Sequence, residues 1–339
     1  MNLSRQTLRN RHRLSHQQID GLLGEKKSGN FTAEKLEQMQ GLRFFHEFTS
    51  ELRSLGTWFM VLKGPILSDR IYGDPTFRLM NDFDILVEPD SVDLLAEKLT
   101  GLGFQSRYFQ WPDSPKRKRV ARHITNQLGY FNPENGILIE VHWRLFSNRV
   151  ANHTKTWEII KKNTETAEFA GKPFIRFNTE FELLYLAIHG SIHAWFRLKW
   201  LVDIHELLEH SPLDEKLFNS LVREFKAERF VDICNVMLKE YFPDGKTLPD
   251  QKSDVKKLAD FSKQQITRES DYVGDTIRHT IASIRYRMAL TNYIPYKLDL
   301  LKLFAICQTD LNYKWIPPYK TAFYLFRPFG YLYRATFKS

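Results

Sequence analysis

The stretch RLMNDFDILVEP, Arg78 to Pro89, places two aspartates one residue apart at the head of an apolar run. A β-strand turns successive side chains to opposite faces, so residues two apart share a face. Asp82 and Asp84 are therefore expected on one face, with Phe83, Ile85 and Val87 on the other. Two like charges held side by side repel, and burial sharpens the repulsion. The pair is tolerable at a strand's solvated end. It is useful when a divalent cation lies between the carboxylates.

Outward from this stretch the chain alternates between strand and helix patterns. TAEKLEQMQGLRFFHEFTSELRSLG carries apolar residues at helical spacing. TWFMVLKG is a continuous apolar run, as in a central strand, and ends in Lys63-Gly64. PILSDRIYGD opens with Pro65, suited to a helix's first turn, and stops at Gly73. DSVDLLAEKLTGLGF reads as a helix capped by Asp90 or Ser91. RHITNQLGYF and GILIEVHWRLF flank the hairpin signal NPENG. SPKRKRVAR, before the first of these, reads as a solvated basic loop, with recruitment of an anionic acceptor as its other use. Beyond Val150 the chain reads almost wholly helical. TEFELLYLAIHGSIHAWFRLKWLVDIHELLEH opens on a capping box, Thr179 to Glu182, and is expected to break near Gly190. The expected organisation is an N-terminal helical segment (1–56), an α+β core (57–150) and a helical domain (151–339) that completes a cleft.

The chain has 339 residues and a formal net charge of +9, which favours polyanionic partners without choosing among nucleotides, nucleic acid and acidic membrane. No apolar run approaches the length of a transmembrane span, and the basic N-terminus is not followed by a signal-type apolar core. Cys234 and Cys307 form no CxxC pair, which argues against zinc and against a disulfide framework. A cytoplasmic setting is the expectation.

Three features point to chemistry. Lys63-Gly64 ends a strand and opens a helix, where backbone N–H groups and the positive dipole end suit phosphate. Asp82 and Asp84 share a strand face. ILIEVHW places Glu140 and His142 on one face of another strand. If these strands are neighbours, Glu140 completes a cluster of three carboxylates, hard ligands suited to Mg²⁺ or Mn²⁺.

VLKGPILSDRIYGDPTFRLMNDFDILV, ILIEVHWRL and LAIHGSIHAWFRLKWLVDI together resemble the uncharacterised nucleotidyltransferase family of bacteria, a branch of the DNA polymerase β-like superfamily. The resemblance spans roughly Leu62 to Leu208. It implies an α+β fold, with a polymerase β-like core of a small mixed sheet and helices plus a mostly helical C-terminal domain. It also implies transfer of a nucleoside monophosphate from an NTP to an acceptor. The superfamily pattern falls on Gly64, on Asp82 with Asp84, and on Glu140. These three acids are the expected catalytic and metal-ligating residues. The usual Gly-Ser or Gly-Gly is replaced here by Lys63-Gly64, and the gap to the acidic pair is long. The acceptor is open, with peptide natural products and polysaccharide precursors as candidates.

Lys63, Gly64, Arg78, His142, His193 and Arg197 complete the expected site as NTP-binding residues. Several carry a second reading. Arg78 binds phosphate or pairs with Asp82. His142 binds metal or substrate, or makes a structural hydrogen bond. His189 and His193 stand four apart on a helix, which tempts a zinc reading, but no HExxH is present, and a place lining the cleft is favoured. Arg197 and Lys199 contact triphosphate or face solvent, and Asp203 is a structural partner for one of these bases. Trp195 and Trp200 are expected in the core. The tail YKWIPPYKTAFYLFRPFGYLYRATFKS either packs as a helix or forms a basic aromatic surface for membrane or nucleic acid. The rival function is a non-catalytic binder of nucleic acid or another polyanion. Clustered carboxylates argue against it, so nucleic acid is not the favoured partner. Asp84→Asn is expected to leave the fold intact or more stable, by relieving repulsion.

Overall fold

The computed structural model describes residues 3–25, 31–80, 82–150, 155–268, 277–305, 308–327 and 329. The chain divides into two compact units, each built from separated stretches. One comprises Met1–Leu42, Pro65–Leu79 and Arg149–Lys297. The other comprises Arg43–Gly64, Met80–Asn148 and Leu298–Ser339.

The second unit holds a five-stranded sheet. Its strands are β1 (Phe59–Val61), β2 (Phe83–Val87), β3 (Gln105–Ser106), β4 (Gln127–Phe131) and β5 (Leu138–His142), in the order β1-β2-β5-β4-β3. The sheet is mixed: β2 and β5 run parallel and the other pairs antiparallel. Phe83, Ile85 and Val87 are buried on one face, and Phe45 stacks on Phe83 at 5.5 Å between ring centroids. The helix Phe31–Ser54 brings Phe44, Phe45 and Phe48 to this core. The β4–β5 hairpin closes through NPENG as expected, with Asn132 N–H bonded to Ile137 O and Gly136 N–H to Asn132 O.

Three local expectations change. The basic run is a helix, Pro115–Ile124, not a loop. Ser114 caps it by accepting from the Arg117 N–H, and Pro115 fits the first position, where no N–H is needed. Several of its cations are engaged: Lys118 and Arg122 reach Asp93 at 3.5 and 2.8 Å, and Arg117 donates to the carbonyls of Leu311, Tyr313, Lys314 and Ile316. The helix Val92–Gly101 follows a 3-10 turn at Pro89–Ser91, and Ser91 makes no side-chain cap. The edge strand β3 falls in a stretch where no strand was expected.

The first unit is mainly helical, but contains a hairpin of β6 (Thr164–Phe169) and β7 (Lys172–Phe177) that the sequence reading took as helical territory. The helix Thr179–Ile192 is buried along most of its length and packs on Lys199–His210, Glu215–Phe225 and Glu228–Tyr241. Its cap is Asn178, which accepts from Phe181 N–H, so Thr179 is already helical. It runs through Gly190 and ends at Ile192. Ala194 and Trp195 then take positive φ, 50° and 55°, which no helix can continue. Trp195 and Trp200 are core residues. Among the described residues no helix is long and apolar enough to cross a membrane. Cys307 and the end of the aromatic tail lie outside the described residues.

Candidate active site

The site is built on the parallel pair β2–β5, whose register sets Asp84 beside Glu140 and Leu86 beside His142. Alternation along each strand brings Asp84, Glu140 and His142 to one face of the sheet, opposite Phe83, Ile85 and Val141. Each offers a ligand atom, and these atoms lie within 4.8 Å of one another. His142 Nε2 stands 3.3 Å from Asp84 Oδ1 and 3.6 Å from Glu140 Oε2. Lys63 Nζ stands 3.5 Å from Asp84 Oδ2. The β1–β2 pairing continues to Leu62, whose N–H donates to Asp84 O at 2.9 Å, and this sets Lys63 next to that aspartate. Gln127 Nε2 donates to Glu140 Oε2 at 2.7 Å from β4.

Two carboxylates thus face two cations. Burial alone pushes the His142 imidazole down, but hydrogen bonds to Asp84 and Glu140 and the charge of both carboxylates outweigh it and hold the ring up to about 9. The two carboxylates thus favour the protonated ring. Its Nδ1 is buried with no hydrogen-bond partner among the described residues. The donor set fits a divalent cation: two carboxylates and an imidazole converge, their charge is met here by side-chain cations, and one buried polar atom is left over.

Gly64 follows with φ +73°, a conformation that costs any residue with a Cβ, and the helix Pro65–Tyr72 starts at the next residue. Asp82 precedes β2 by one residue, is half-buried, and stands outside the three-residue group. Arg78 is buried in the first unit, where its Nε donates to both oxygens of Asp203 at 2.9 and 3.0 Å. Asp203 thus takes Arg78, a base not considered for it. His189 and His193 lie in the first unit within a ring cluster. They are 4.7 Å apart between centroids, and Trp200 is 5.1 and 5.4 Å from them. Arg197 lies 5.0 Å from the Phe196 ring centroid. Among the described residues, Asp84, Glu140 and His142 form the one group of metal-ligating type. Gln127 was missed by the sequence reading, yet the hairpin register held the signal: pairing outward from NPENG sets Gln127 across from His142.

Residues 26–243 match the family described as uncharacterised nucleotidyltransferase. The chain belongs to that family. Among solved structures it is similar to an antigenic nucleotidyltransferase-like protein from Paracoccidioides brasiliensis, at 14% identity and a TM-score of 0.36. That likeness covers 58% of this chain and 86% of the other. No curated protein matches the sequence. Family membership makes a nucleotide the expected class of substrate and gives the Asp84–Glu140–His142 group a setting in transferase chemistry.

Proposed function

We propose that the protein is a metal-dependent nucleotidyltransferase that moves a nucleoside monophosphate from an NTP to an acceptor. The observation that carries this reading is the side-by-side placement of Asp84 and Glu140 on β2 and β5, with Lys63 against Asp84, in a chain of this family. Asp84, Glu140 and His142 would hold the ion, Mg²⁺ or Mn²⁺. When bound, it supplies charge neutralisation and polarisation at phosphate oxygens. One imidazole beside two carboxylates tilts the preference toward Mn²⁺. Asp82 remains the candidate for a further carboxylate ligand.

Lys63 and the turn at Gly64 suit the β- and γ-phosphates. The ammonium supplies charge, and Gly64, at φ +73°, lets backbone approach phosphate closely. The acceptor oxygen attacks the α-phosphorus in line, its proton passes to solvent, or to Glu140 if that residue serves as base in place of holding the ion, and pyrophosphate leaves. Positioning and fixed charge supply most of the rate gain in such a reaction. His193 and Arg197 are assigned to NTP on the sequence pattern alone. For Arg78 the Nε contact with Asp203 supports the ion-pair reading, with Asp203 in place of Asp82 as its partner.

The test is thermal unfolding with each of the common NTPs, with Mn²⁺, Mg²⁺ or chelator, followed by incubation with α-labelled NTP and candidate acceptors. Stabilisation that needs both NTP and divalent ion, and is lost in Asp84→Asn and Glu140→Gln, is expected. No ion-dependent response to any NTP overturns the reading.

A further inference from the structure

The exposed groove at the β3 edge of the sheet plays no part in the reaction above. It encloses about 620 Å³ and is lined by the stretch Ser106–Ser114 and by Arg117, Leu311, Asn312 and Lys314. Its floor is tied together by hydrogen bonds. Arg117 gathers the carbonyls of residues 311–316, and Gln110 N–H donates to Asn312 Oδ1 at 2.9 Å. Arg117 is therefore a structural cation. Arg107 and Lys314, both exposed, are the charged residues left to meet a ligand, against Asp113 as the lining carboxylate.

Tyr108 connects this groove to the carboxylate face. Arg107 N–H pairs with Gly129 O, and a Cβ placed on Gly129 would lie 3.3 Å from the Tyr108 ring. Gly129 is directly opposite Glu140 in the β4–β5 ladder, and opposed residues of an antiparallel pair share a face. The Tyr108 ring thus lies on the same side of the sheet as Glu140, one strand away, a spacing of about 4.8 Å. The ring is 42% exposed although it is a large aromatic, and Arg107 Cζ is 5.3 Å from its centroid. Nearby on this unit, Trp315 is 47% exposed and stacks on Tyr313, and Lys116 lies 5.9 Å from the Tyr319 ring.

We infer that this groove binds single-stranded nucleic acid, with Tyr108 as a stacking platform for a base and Arg107 and Lys314 as phosphate contacts. Tyr108 and Trp111 beside Arg107 and Lys314 give the groove π-faces next to positive charge, the complement of a single strand's bases and phosphates. A bilayer would call for a convex surface, and a folded duplex would not enter a groove of this volume. The inference does not require the transfer reaction, so it is tested without NTP or divalent ion, and either reading can fail alone.

The measurement is fluorescence anisotropy with labelled RNA and DNA single strands of about 12 nucleotides in chelator. Saturable binding that weakens between about 50 and 200 mM salt is expected. Tyr108→Ala should weaken it about ten- to a hundredfold, while Tyr108→Phe, which keeps the ring, should bind as wild type. Arg107→Gln with Lys314→Gln should flatten the salt slope by about 1.4, since each phosphate contact contributes about 0.7. The paired Phe and Ala variants share a melting check, so loss of fold in Tyr108→Ala leaves the charge variants to decide. Absence of binding, binding indifferent to all these variants, or a preference for anionic vesicles over oligonucleotide overturns the inference.

Discussion

Asp84 is a carboxylate between two buried cations, Lys63 and His142, and this reverses one expectation drawn from sequence. Removing its charge does not relieve repulsion between acids. It strands an ammonium and an imidazolium in a buried setting. Asp84→Asn should therefore lose about 1–3 kcal/mol of stability in the absence of metal, read by denaturant unfolding, as well as its response to divalent ion. A variant more stable than wild type would show that acid–acid repulsion dominates after all. Lys63→Met separates the ammonium's two roles. A phosphate clamp predicts a rise in the NTP dissociation constant of about ten- to a hundredfold, from a charge-assisted bond of about 1.5–3 kcal/mol. A purely structural partner of Asp84 predicts lower stability with affinity per folded molecule unchanged. Alternation made the shared face of Glu140 and His142 legible. It also set Asp82 on the face of Asp84, but Asp82 precedes the strand and stands outside the group. Alternation is silent on Arg78, whose partner lies 125 positions away. A contact at that separation leaves no local trace in the pattern.

Elements with strong punctuation were readable. The buried run of β2, the helix after Gly64 and the hairpin around NPENG each carry their own turn or cap signals. The β6–β7 hairpin was not read, because TETAEF and KPFIRF alternate weakly and their loop is Ala170-Gly171. Both loop residues have positive φ, 49° and 72°, the two-residue geometry that matches strand twist and usually selects Asn-Gly. Alanine pays about 1 kcal/mol or more there. Ala170→Gly should stabilise the protein by about 0.5–1 kcal/mol, because the left-handed strain is removed at modest entropic cost. A lowered midpoint in denaturant would contradict the turn. The basic helix Pro115–Ile124 was missed for a different reason: its apolar face is short, Val120, Ala121 and Ile124 behind four consecutive cations, so only Ser114-Pro115 marked its start.

For the molecule as a whole, one contributor to acid sensitivity lies in the N-terminal arm of the helical unit. Arg11 donates to the carbonyls of Phe196 and Ile266, and His12 Nδ1 accepts from Leu198 N–H at 3.0 Å. Burial, then the charges of Arg11 and Arg197, push His12 down to about 3. Between that value and the unfolded value of about 6.5, the unfolded chain takes up a proton that the folded chain refuses. The contribution of His12 should be complete above about pH 6.5 and fall by up to about 1.4 kcal/mol per unit as pH drops below it. His123, pushed down to about 4, acts with the same sign, whereas His142, held up to about 9, loses its contribution as pH rises above about 6.5. Urea unfolding across that range should show this slope, and His12→Gln should remove the share that His12 contributes. An unchanged slope in the variant would assign the acid sensitivity to other groups.

The chain passes between its two units at 42–43, 64–65, 79–80, 148–149 and 297–298. This sets a timetable for a chain that emerges from the ribosome N-terminus first. Arg117 is synthesised long before the carbonyls of residues 311–316 that it gathers, and the sheet's unit draws on the stretch from Leu298 onward. The helix Pro115–Ile124 must therefore wait for the partners of Arg117 while the intervening helices are made, although the strands bearing Asp84 and Glu140 find all their sheet partners within Phe59–His142. A nascent chain stalled before residue 298 should leave the helix Pro115–Ile124 more open to protease than in the full chain, while Thr179–Ile192 and its neighbours are already protected.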